Sequence, residues 1–214
     1  MSNVIREFYF ADALYYKDIE NSTEMNTDLI GKILQWRHDD PEGVQISNSL
    51  GWQSKDTMSY RDEFHQITKT INDALNEISI NEEYCSKRDL VVENMWANVS
   101  QKYAYNSYHT HPGSLWSGVY YVQCPPNCGN IRFYNKDVQS TWWPEYEKKQ
   151  VMARQPHQWN NVFYEPIEGR LILFPSHVGH EVLQNLTDVE GEDGYRISIS
   201  FNIKQIDDTR WYLN

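Results

Sequence analysis

The 214-residue chain has no long apolar run, and no stretch approaches the roughly 18 apolar residues of a membrane-spanning helix. Residues 1–7 show no basic segment followed by an apolar one, so we expect no secretory signal peptide. Cysteine is scarce, with 3 residues in the sequence. This number excludes a fold built on a disulfide framework, and it predicts a reducing, cytoplasmic location.

Positive charge is also in short supply. The sequence has 19 Lys and Arg residues against 30 Asp and Glu residues, a net charge of −11, and the basic residues form no cluster. Because a protein that holds nucleic acid through its phosphates needs a basic face, we expect neither a nucleic-acid nor a membrane partner. The chain also lacks a Gly-x-Ser-x-Gly elbow and a glycine-rich phosphate loop ending in Lys, which argues against serine-nucleophile and nucleotide chemistry.

Aromatic residues, in contrast, are abundant. They make up 14% of the chain, with 8 Trp and 15 Tyr, and such a content favours a β-rich fold with a deep pocket. Apolar residues recur at three- and four-residue steps over 26–37 and 59–78, which predicts two helices. Strand-like segments then follow at 90–99, 117–122, 130–134, 171–174 and 196–203.

This order of elements predicts a mainly β (α+β) protein, a β-sandwich or jelly roll buttressed by N-terminal helices. We expect a single domain over 1–214, with a helical buttress and a first strand (7–10) in 1–89 and the jelly-roll core in 90–214. The segment 141–163, rich in Trp, Tyr and Gln, is expected to form a lid over the site. The apolar helix faces are expected to pack on the sheets or on a second subunit, so a homodimer is left open.

Three histidines form the candidate metal site. His109 and His111 stand two residues apart, and side chains at that spacing on a strand share one face. His180, which follows another apolar run, is expected to approach them from a different strand. Three such ligands leave one side of an ion open, as oxygen-activating non-haem iron requires.

His111 stands where a His-x-Asp/Glu pair would supply a carboxylate. An alternative keeps only His111 and His180 as ligands and places Gly113 in the vacant carboxylate position. Glu181 is a weaker substitute, because neighbours on a strand face opposite ways. We favour the site with three histidines.

Arg196 and Ser198 form a candidate anion site, since at a two-residue spacing both can donate hydrogen bonds to one carboxylate of a dicarboxylate cosubstrate. The alternative for Arg196 is a structural ion pair. Tyr121 is expected either to add a phenol donor to the same carboxylate or to pack in the core. Further candidates for the wall of a substrate pocket are Trp96, Tyr105, Asn106 and Trp116.

At these residues the chain resembles the 2-oxoglutarate- and Fe(II)-dependent oxygenases, in particular a family with a His-x-His-Pro segment before Ser-Gly-Val-Tyr-Tyr. The segments that carry the resemblance are 109–112, 117–121, 129–133, 174–176, His180 and 196–202, with 47–48 and 51–54 nearer the N-terminus. Together they span most of the chain, roughly residues 8–203.

The resemblance implies a double-stranded β-helix core, with Fe(II) held by the histidines. It implies that 2-oxoglutarate chelates the iron through its 1-carboxylate and 2-oxo groups and places its 5-carboxylate on Arg196 and Ser198. Turnover with O2 then releases succinate and CO2 while a C–H bond of an unidentified primary substrate is hydroxylated. The Tyr-Tyr strand and the Gly-x-x-x-Phe segment are also similar to those of prolyl hydroxylases, which suggests a prolyl or other amino-acid residue as substrate.

Two competing functions stay open at this point. The missing carboxylate is consistent with a non-catalytic metal- or ligand-binding jelly-roll module. The second is a zinc-binding structural protein, because Cys124 and Cys128 have a spacing found in structural zinc sites. However, no second close Cys/His pair follows them.

Overall fold

The computed structural model describes residues 12–83, 88–136 and 159–207. The predicted strand at 7–10 and the 141–158 part of the predicted lid lie outside the described residues. The division of the chain at residue 89 therefore stays a prediction.

Two helices and eleven strands follow one another along the described chain. Their bounds are β1 Tyr15–Asp18, α1 Thr23–Asp39, β2 Asn48–Ser49, β3 Trp52–Gln53, α2 His65–Asn81, β4 Arg88–Ser100, β5 Tyr105–His109, β6 Trp116–Gln123, β7 Ile131–Tyr134, β8 Asn161–Tyr164, β9 Arg170–Pro175, β10 His180–Val182 and β11 Arg196–Asp207. Each of the five strand segments predicted from residue 90 onward corresponds to one of these strands.

The strands form two antiparallel sheets. The larger sheet has the order β1-β9-β6-β11-β4-β3, and the smaller has the order β2-β5-β10-β7-β8. Apolar side chains of both sheets meet in one buried cluster, for example Tyr121 and Phe174 from the larger sheet and Phe133 from the smaller. The predicted architecture, a jelly roll with N-terminal helices, is confirmed.

The strand β11 shows how the sequence separates a helix-covered face from an inner face. Ile197, Ile199 and Phe201 are fully buried in the cluster that also contains the apolar faces of α1 and α2. Residues between them, such as Ser198 and Ser200, line a cavity between the sheets. This alternation follows from the two-residue period of a strand, and it directs polar groups into the interior of the jelly roll.

The N-terminal part differs from the sequence prediction in its details. Residues 46–54, predicted as a loop, contain the two-residue strands β2 and β3, which pair with β5 and β4. Such short strands depend on partners distant in sequence, so no local pattern indicates them. Within the part of the chain that the structure describes, no helix is long and apolar enough to cross a membrane.

The helix α1 begins at Thr23, before the predicted start near Asn26. The Asn26 side chain does not cap the helix. It is buried and accepts a hydrogen bond of 2.6 Å from the Tyr120 hydroxyl. A tertiary contact therefore engages the side chain at the predicted start of the helix.

Candidate active site

The three predicted histidines come together at one end of the cavity between the sheets. His109 ends β5 and His180 begins β10, and the two residues are direct partners across these strands. His111 lies two residues beyond β5, where its backbone N–H donates to the Ser176 carbonyl oxygen at 2.9 Å. One potential ligand atom from each histidine lies within 4.8 Å of the other two.

Backbone contacts set the orientation of two of these rings. The Nδ1 atom of His109 lies 2.7 Å from the Ser107 carbonyl oxygen, and that of His180 lies 3.0 Å from the Val178 carbonyl oxygen. Because a carbonyl oxygen only accepts hydrogen bonds, Nδ1 carries the proton in each ring. Each Nε2 lone pair is therefore free to bind a metal ion, an arrangement common around metal-binding histidines.

Burial keeps the three imidazoles neutral. Desolvation lowers the pKa of His109, lowers that of His111 to about 4 and lowers that of His180 to about 3. Since a metal ion binds the neutral ring, the site is in its ligand form at pH 7.

Glu181 and Gly113, the positions considered in the two alternatives, have different surroundings. Glu181 accepts hydrogen bonds from the Arg132 guanidinium and, at 2.8 Å, from the Tyr134 hydroxyl. Gly113 has a φ of +93°, and a Cβ atom built there would meet no atom within 4 Å, so this position faces open space. The geometry thus brings His109 into the cluster with His111 and His180, whereas the Glu181 carboxylate is engaged by Arg132 and Tyr134.

Arg196 lies deep in the same cavity, with 2% of its surface exposed. Its Nη1 donates to the carbonyl oxygens of Cys128, Gly129 at 3.3 Å and Leu183 at 3.0 Å. No carboxylate lies within ion-pair distance of it among residues 12–83, 88–136 and 159–207. Burial lowers the pKa of Arg196, as expected for a buried cation that has no carboxylate partner within these ranges.

Tyr121 lies beside this cation. Its ring is buried, and in the described structure its hydroxyl has no hydrogen-bond partner. Ser198 is its direct partner across β6 and β11 and lines the same cavity. An unpaired buried hydroxyl costs about 1–3 kcal/mol. The guanidinium, phenol and serine therefore form a pocket that suits an anion with several acceptor oxygens.

Strand register orders these groups along the cavity. Trp96 pairs with Ser200 at one point of β11, and its ring centroid lies 6.1 Å from that of His111. Arg196 precedes Ser200 by four residues on the same strand, a rise of about 13 Å. The cavity therefore has the three histidines at one end and the Arg196 cation at the other.

Of the four predicted wall residues, two line the cavity and two do not. Trp96 and Asn106 line the cavity, whereas Tyr105, the neighbour of Asn106 on β5, does not. Trp116 is buried under the helices on the same face of β6 as Tyr120, with its ring centroid 5.7 Å from that of Tyr15. Adjacent strand residues face opposite ways, so Tyr105 and Asn106 cannot both face the cavity.

Three polar residues of the cavity were not identified from the sequence, namely Ser47, Asn98 and Ser200. The Asn98 amide nitrogen donates to the Ser200 hydroxyl at 3.1 Å, and its Oδ1 is buried without a partner in the described residues. Asn98 follows Trp96 by two positions, and Ser200 follows Ser198 by two. The same alternation that identified Arg196 and Ser198 would have found both.

Cys124 and Cys128 are free thiols. Across the described ranges, the only group of three or more His, Cys, Asp or Glu residues with metal-binding proximity is the histidine cluster. The predicted zinc site on the cysteines therefore has no further ligands within the described structure.

The fold has solved relatives at low sequence identity. A prolyl-4-hydroxylase from Pseudomonas putida matches with 14% identity and a TM-score of 0.60, covering 90% of this chain and 92% of its own. The epimerase SnoN of nogalamycin biosynthesis, solved with Fe3+, α-ketoglutarate and nogalamycin RO, matches with 12% identity and a TM-score of 0.64, covering 92% and 80%. The viral collagen prolyl hydroxylase of Paramecium bursaria Chlorella virus-1 matches with 14% identity and a TM-score of 0.55, covering 89% and 94%.

A search of curated proteins gave no match. The sequence profile of the family described as "Putative 2OG-Fe(II) oxygenase" matches residues 94–202, just over half of the chain. The match includes the histidine cluster, Tyr121, Arg196 and Ser198, and it favours an oxygenase over a non-catalytic jelly-roll module. The chain belongs to this family and is an oxygenase that uses Fe(II) as its metal and 2-oxoglutarate and O2 as cosubstrates.

Proposed function

We propose that His109, His111 and His180 hold the iron and that Arg196, with Tyr121 and Ser198, binds the 5-carboxylate of 2-oxoglutarate. The observation that carries this proposal is the buried Arg196 guanidinium, which lacks a counter-charge in the described structure and shares a cavity with three neutral imidazoles. A dicarboxylate neutralises this cation with one end and reaches the metal ligands with the other. When bound, Fe(II) would supply the site at which O2 oxidises 2-oxoglutarate to succinate and CO2, with one oxygen atom entering succinate and the other inserted into a substrate C–H bond.

Charge balance supports a site of three histidines for this cosubstrate. Three neutral imidazoles leave the full double charge of Fe(II) uncompensated, whereas a carboxylate ligand would cancel half of it. Arg196 adds a third positive charge to the cavity. In a cavity of low dielectric, such an excess of positive charge favours the binding of a dianion.

The wall next to the metal ligands suits the reacting part of an amino-acid substrate. Trp96 presents an indole ring 6.1 Å from the His111 ring, and Asn106 and Ser47 add polar groups joined by a hydrogen bond of 3.2 Å. An aromatic plane packs well against a saturated ring or an aliphatic chain. Because two of the structural relatives are prolyl hydroxylases, we propose hydroxylation of a prolyl or other amino-acid residue.

The first test of the site is an anaerobic titration of the protein with Fe(II) and 2-oxoglutarate, followed by visible spectroscopy. A metal-to-ligand charge-transfer band in the wild type, and its loss in His111→Ala, would support the proposed site. His177→Ala serves as a control, because this histidine is 54% exposed and bonded to Asp12. A band that survives in His111→Ala would contradict the assignment of three histidines.

The substrate class is tested by aerobic turnover with a library of synthetic peptides that differ in one central residue. Succinate formation above the peptide-free rate, together with a mass increase of one oxygen atom on the peptide, identifies a hydroxylated residue. If proline-centred peptides give neither signal while other peptides do, the prolyl assignment is wrong. The oxygenase assignment would still hold.

A further inference from the structure

One polar residue of the cavity has no role in the proposed site, although it is almost completely buried. Asn98 lies on β4 with 6% of its surface exposed, and it lines the cavity that also contains the histidines and Arg196. Its Nδ2 atom donates to the Ser200 hydroxyl at 3.1 Å, whereas its buried Oδ1 atom has no partner in the described structure. Because an unpaired buried polar atom destabilises a folded protein, this side chain indicates a contact with a ligand.

Tyr121 has the same property on the opposite side of β11. Among the described residues that line the cavity, Tyr121 and Asn98 are the two with a buried side-chain polar atom that lacks a partner. Ser198 of β11 is the direct partner both of Tyr121 on β6 and of Asn98 on β4. Adjacent strands lie about 4.8 Å apart, and directly paired residues share one face of a sheet. The three side chains therefore form a row across the cavity, with Ser198 in its centre.

The hydrogen bond to Ser200 draws the Asn98 amide toward the histidine side of this row. Ser200 follows Ser198 by two residues, a rise of about 7 Å along β11. The direct partner of Ser200 on β4 is Trp96, whose ring centroid lies 6.1 Å from that of His111. Four C–C bonds join the two carboxylate carbons of 2-oxoglutarate, which places them about 5 Å apart in an extended chain. A molecule with its 5-carboxylate at Ser198 therefore has its keto-acid end, the 2-oxo and 1-carboxylate groups, near the level of the Asn98 amide.

The Asn98 side chain can donate to this keto-acid end and keep its hydrogen bond to Ser200. An amide group contains one acceptor oxygen and an NH2 donor, and a hydroxyl both donates and accepts. A half-turn about the Cβ–Cγ bond of Asn98 exchanges the positions of Oδ1 and Nδ2. The Ser200 hydroxyl then donates to Oδ1, and Nδ2 is available to an acceptor in the cavity. With a ligand oxygen as that acceptor, both polar atoms of the amide are paired.

We propose that Asn98, held by Ser200, donates a hydrogen bond to the 1-carboxylate of 2-oxoglutarate. The inference rests on the proposed function, because the position of the keto-acid end follows from the assignment of the 5-carboxylate to Arg196 and Ser198. With one oxygen of the 1-carboxylate on the metal, the second oxygen is free to accept. A hydrogen bond to an ionised oxygen is stronger than one between neutral groups. Asn98 thereby orients the keto-acid end, while Arg196 holds the other end.

The experiment is an anaerobic titration of Fe(II)-loaded protein with 2-oxoglutarate. Calorimetry gives Kd, and visible spectroscopy gives the wavelength of the metal-to-ligand charge-transfer band. Asn98→Leu keeps the approximate size of the side chain and removes its hydrogen-bonding groups. We expect Kd to rise by about tenfold or more, because a hydrogen bond to a charged group is lost. We also expect the band to move to shorter wavelength, because the hydrogen bond lowers the energy of the accepting orbital of the keto acid.

Two further variants separate this contact from others. Ser198→Ala is expected to raise Kd and to leave the wavelength of the band unchanged, since Ser198 binds the opposite carboxylate. Asn94→Ala is the matched control for the loss of an asparagine from β4. Asn94 accepts a hydrogen bond of 2.9 Å from Asn202 and does not line the cavity. Its replacement should alter neither Kd nor the band.

A folded Asn98→Leu protein with an unaltered Kd would overturn the inference. A raised Kd with an unmoved band would also overturn it, because Asn98 would then act at the 5-carboxylate or through packing alone. Circular dichroism checks the fold, and Asn98→Ala takes the place of Asn98→Leu if the latter does not fold. If neither variant folds, Asn98 is a structural residue and the inference is wrong. The absence of a band in the wild type has a different meaning, because the proposed function itself then fails.

Discussion

The Nε2 atoms of His111 and His180 lie 3.3 Å apart, although 69 residues separate them in the chain. The two rings are stacked with an interplanar angle of 5°. Neither ring can be charged at neutral pH, because burial lowers both pKa values well below 7. Two aligned, neutral nitrogens at this distance are suited to share one metal ion.

We expect His180→Ala to lower the affinity for Fe(II) by more than about a hundredfold and to abolish succinate formation. The physical reason is the loss of the most buried of the three imidazoles, whose ring is oriented by the Val178 carbonyl oxygen. Fe(II) affinity is measured by anaerobic titration, and succinate by chromatography. The exposed His177, changed to alanine, is the matched control and should leave both quantities unaltered; normal Fe(II) affinity in His180→Ala would refute the role of His180.

We expect Arg196→Ala to raise the 2-oxoglutarate concentration required for half-maximal succinate formation by about thirtyfold or more, because a buried charged hydrogen-bond partner is lost. The Fe(II) requirement should change less than about threefold. Arg196→Lys keeps the charge without the planar fork, so an intermediate 2-oxoglutarate requirement is expected.

Arg170→Ala is the control for the loss of an arginine, because Arg170 pairs with Asp18 at 2.6 Å, away from the cavity. If Arg196→Ala raises the Fe(II) and 2-oxoglutarate requirements equally, Arg196 maintains the structure of the site as a whole and does not contact the 2-oxoglutarate carboxylate specifically. Its role as a carboxylate anchor would then be wrong.

Strand alternation explains which site residues the sequence could identify. The spacing of His109 and His111, or of Arg196 and Ser198, is local information, and the structure places each pair at the cavity. The same rule fails for β5, where Tyr105 shares the alternation of His109 but Asn106 lines the cavity, because the pairing of β5 with β10 shifts register between His109 and Asn106. It could not have shown that Tyr121 and Ser198 face each other, because that contact depends on the register between β6 and β11.

The parts of the fold that escaped prediction depend on contacts between distant residues. The two-residue strands β2 and β3 exist only through pairing with β5 and β4. The turn that contains Cys128 contacts Arg196, and this hydrogen bond joins residues 68 positions apart. Periodicity in the sequence specifies which face of a strand is buried. The strands and side chains that pack against that face depend on tertiary contacts, which a local pattern does not contain.

Tyr121→Phe should weaken 2-oxoglutarate binding by about tenfold or more without lowering the thermal stability of the protein. The Tyr121 hydroxyl is buried and has no partner in the described structure, so its removal takes away an unpaired polar group. A hydrogen bond to a charged carboxylate is worth about 1.5–3 kcal/mol, which sets the expected loss of affinity. Calorimetry gives the affinity and thermal unfolding gives Tm.

Tyr120→Phe is the matched control for this change, because the neighbouring side chain faces the helices instead of the cavity. It should leave 2-oxoglutarate affinity unaltered and lower the free energy of unfolding by about 1 kcal/mol, since Asn26 loses its hydrogen bond. If Tyr121→Phe lowers Tm as much as Tyr120→Phe does and leaves the affinity unchanged, Tyr121 is a packing residue.

Alkaline pH should reverse the stability order of the wild type and Tyr120→Phe. Burial raises the pKa of Tyr120 to about 12 in the folded protein, whereas an unfolded tyrosine titrates near pH 10. Between these values the unfolded chain loses the Tyr120 proton and the folded protein keeps it. The wild type therefore loses stability as pH rises, by about 1 kcal/mol per pH unit.

Phenylalanine has no proton to lose in either state, so the difference between the two proteins isolates the contribution of Tyr120 from that of the other tyrosines. The 1 kcal/mol advantage expected for the wild type at pH 8 should vanish near pH 11 and change sign above it. Urea unfolding of both proteins at pH 8, 10 and 11.5 measures this difference. A constant difference across the series would mean that the Tyr120 pKa is not raised by folding, and that its hydroxyl reaches solvent.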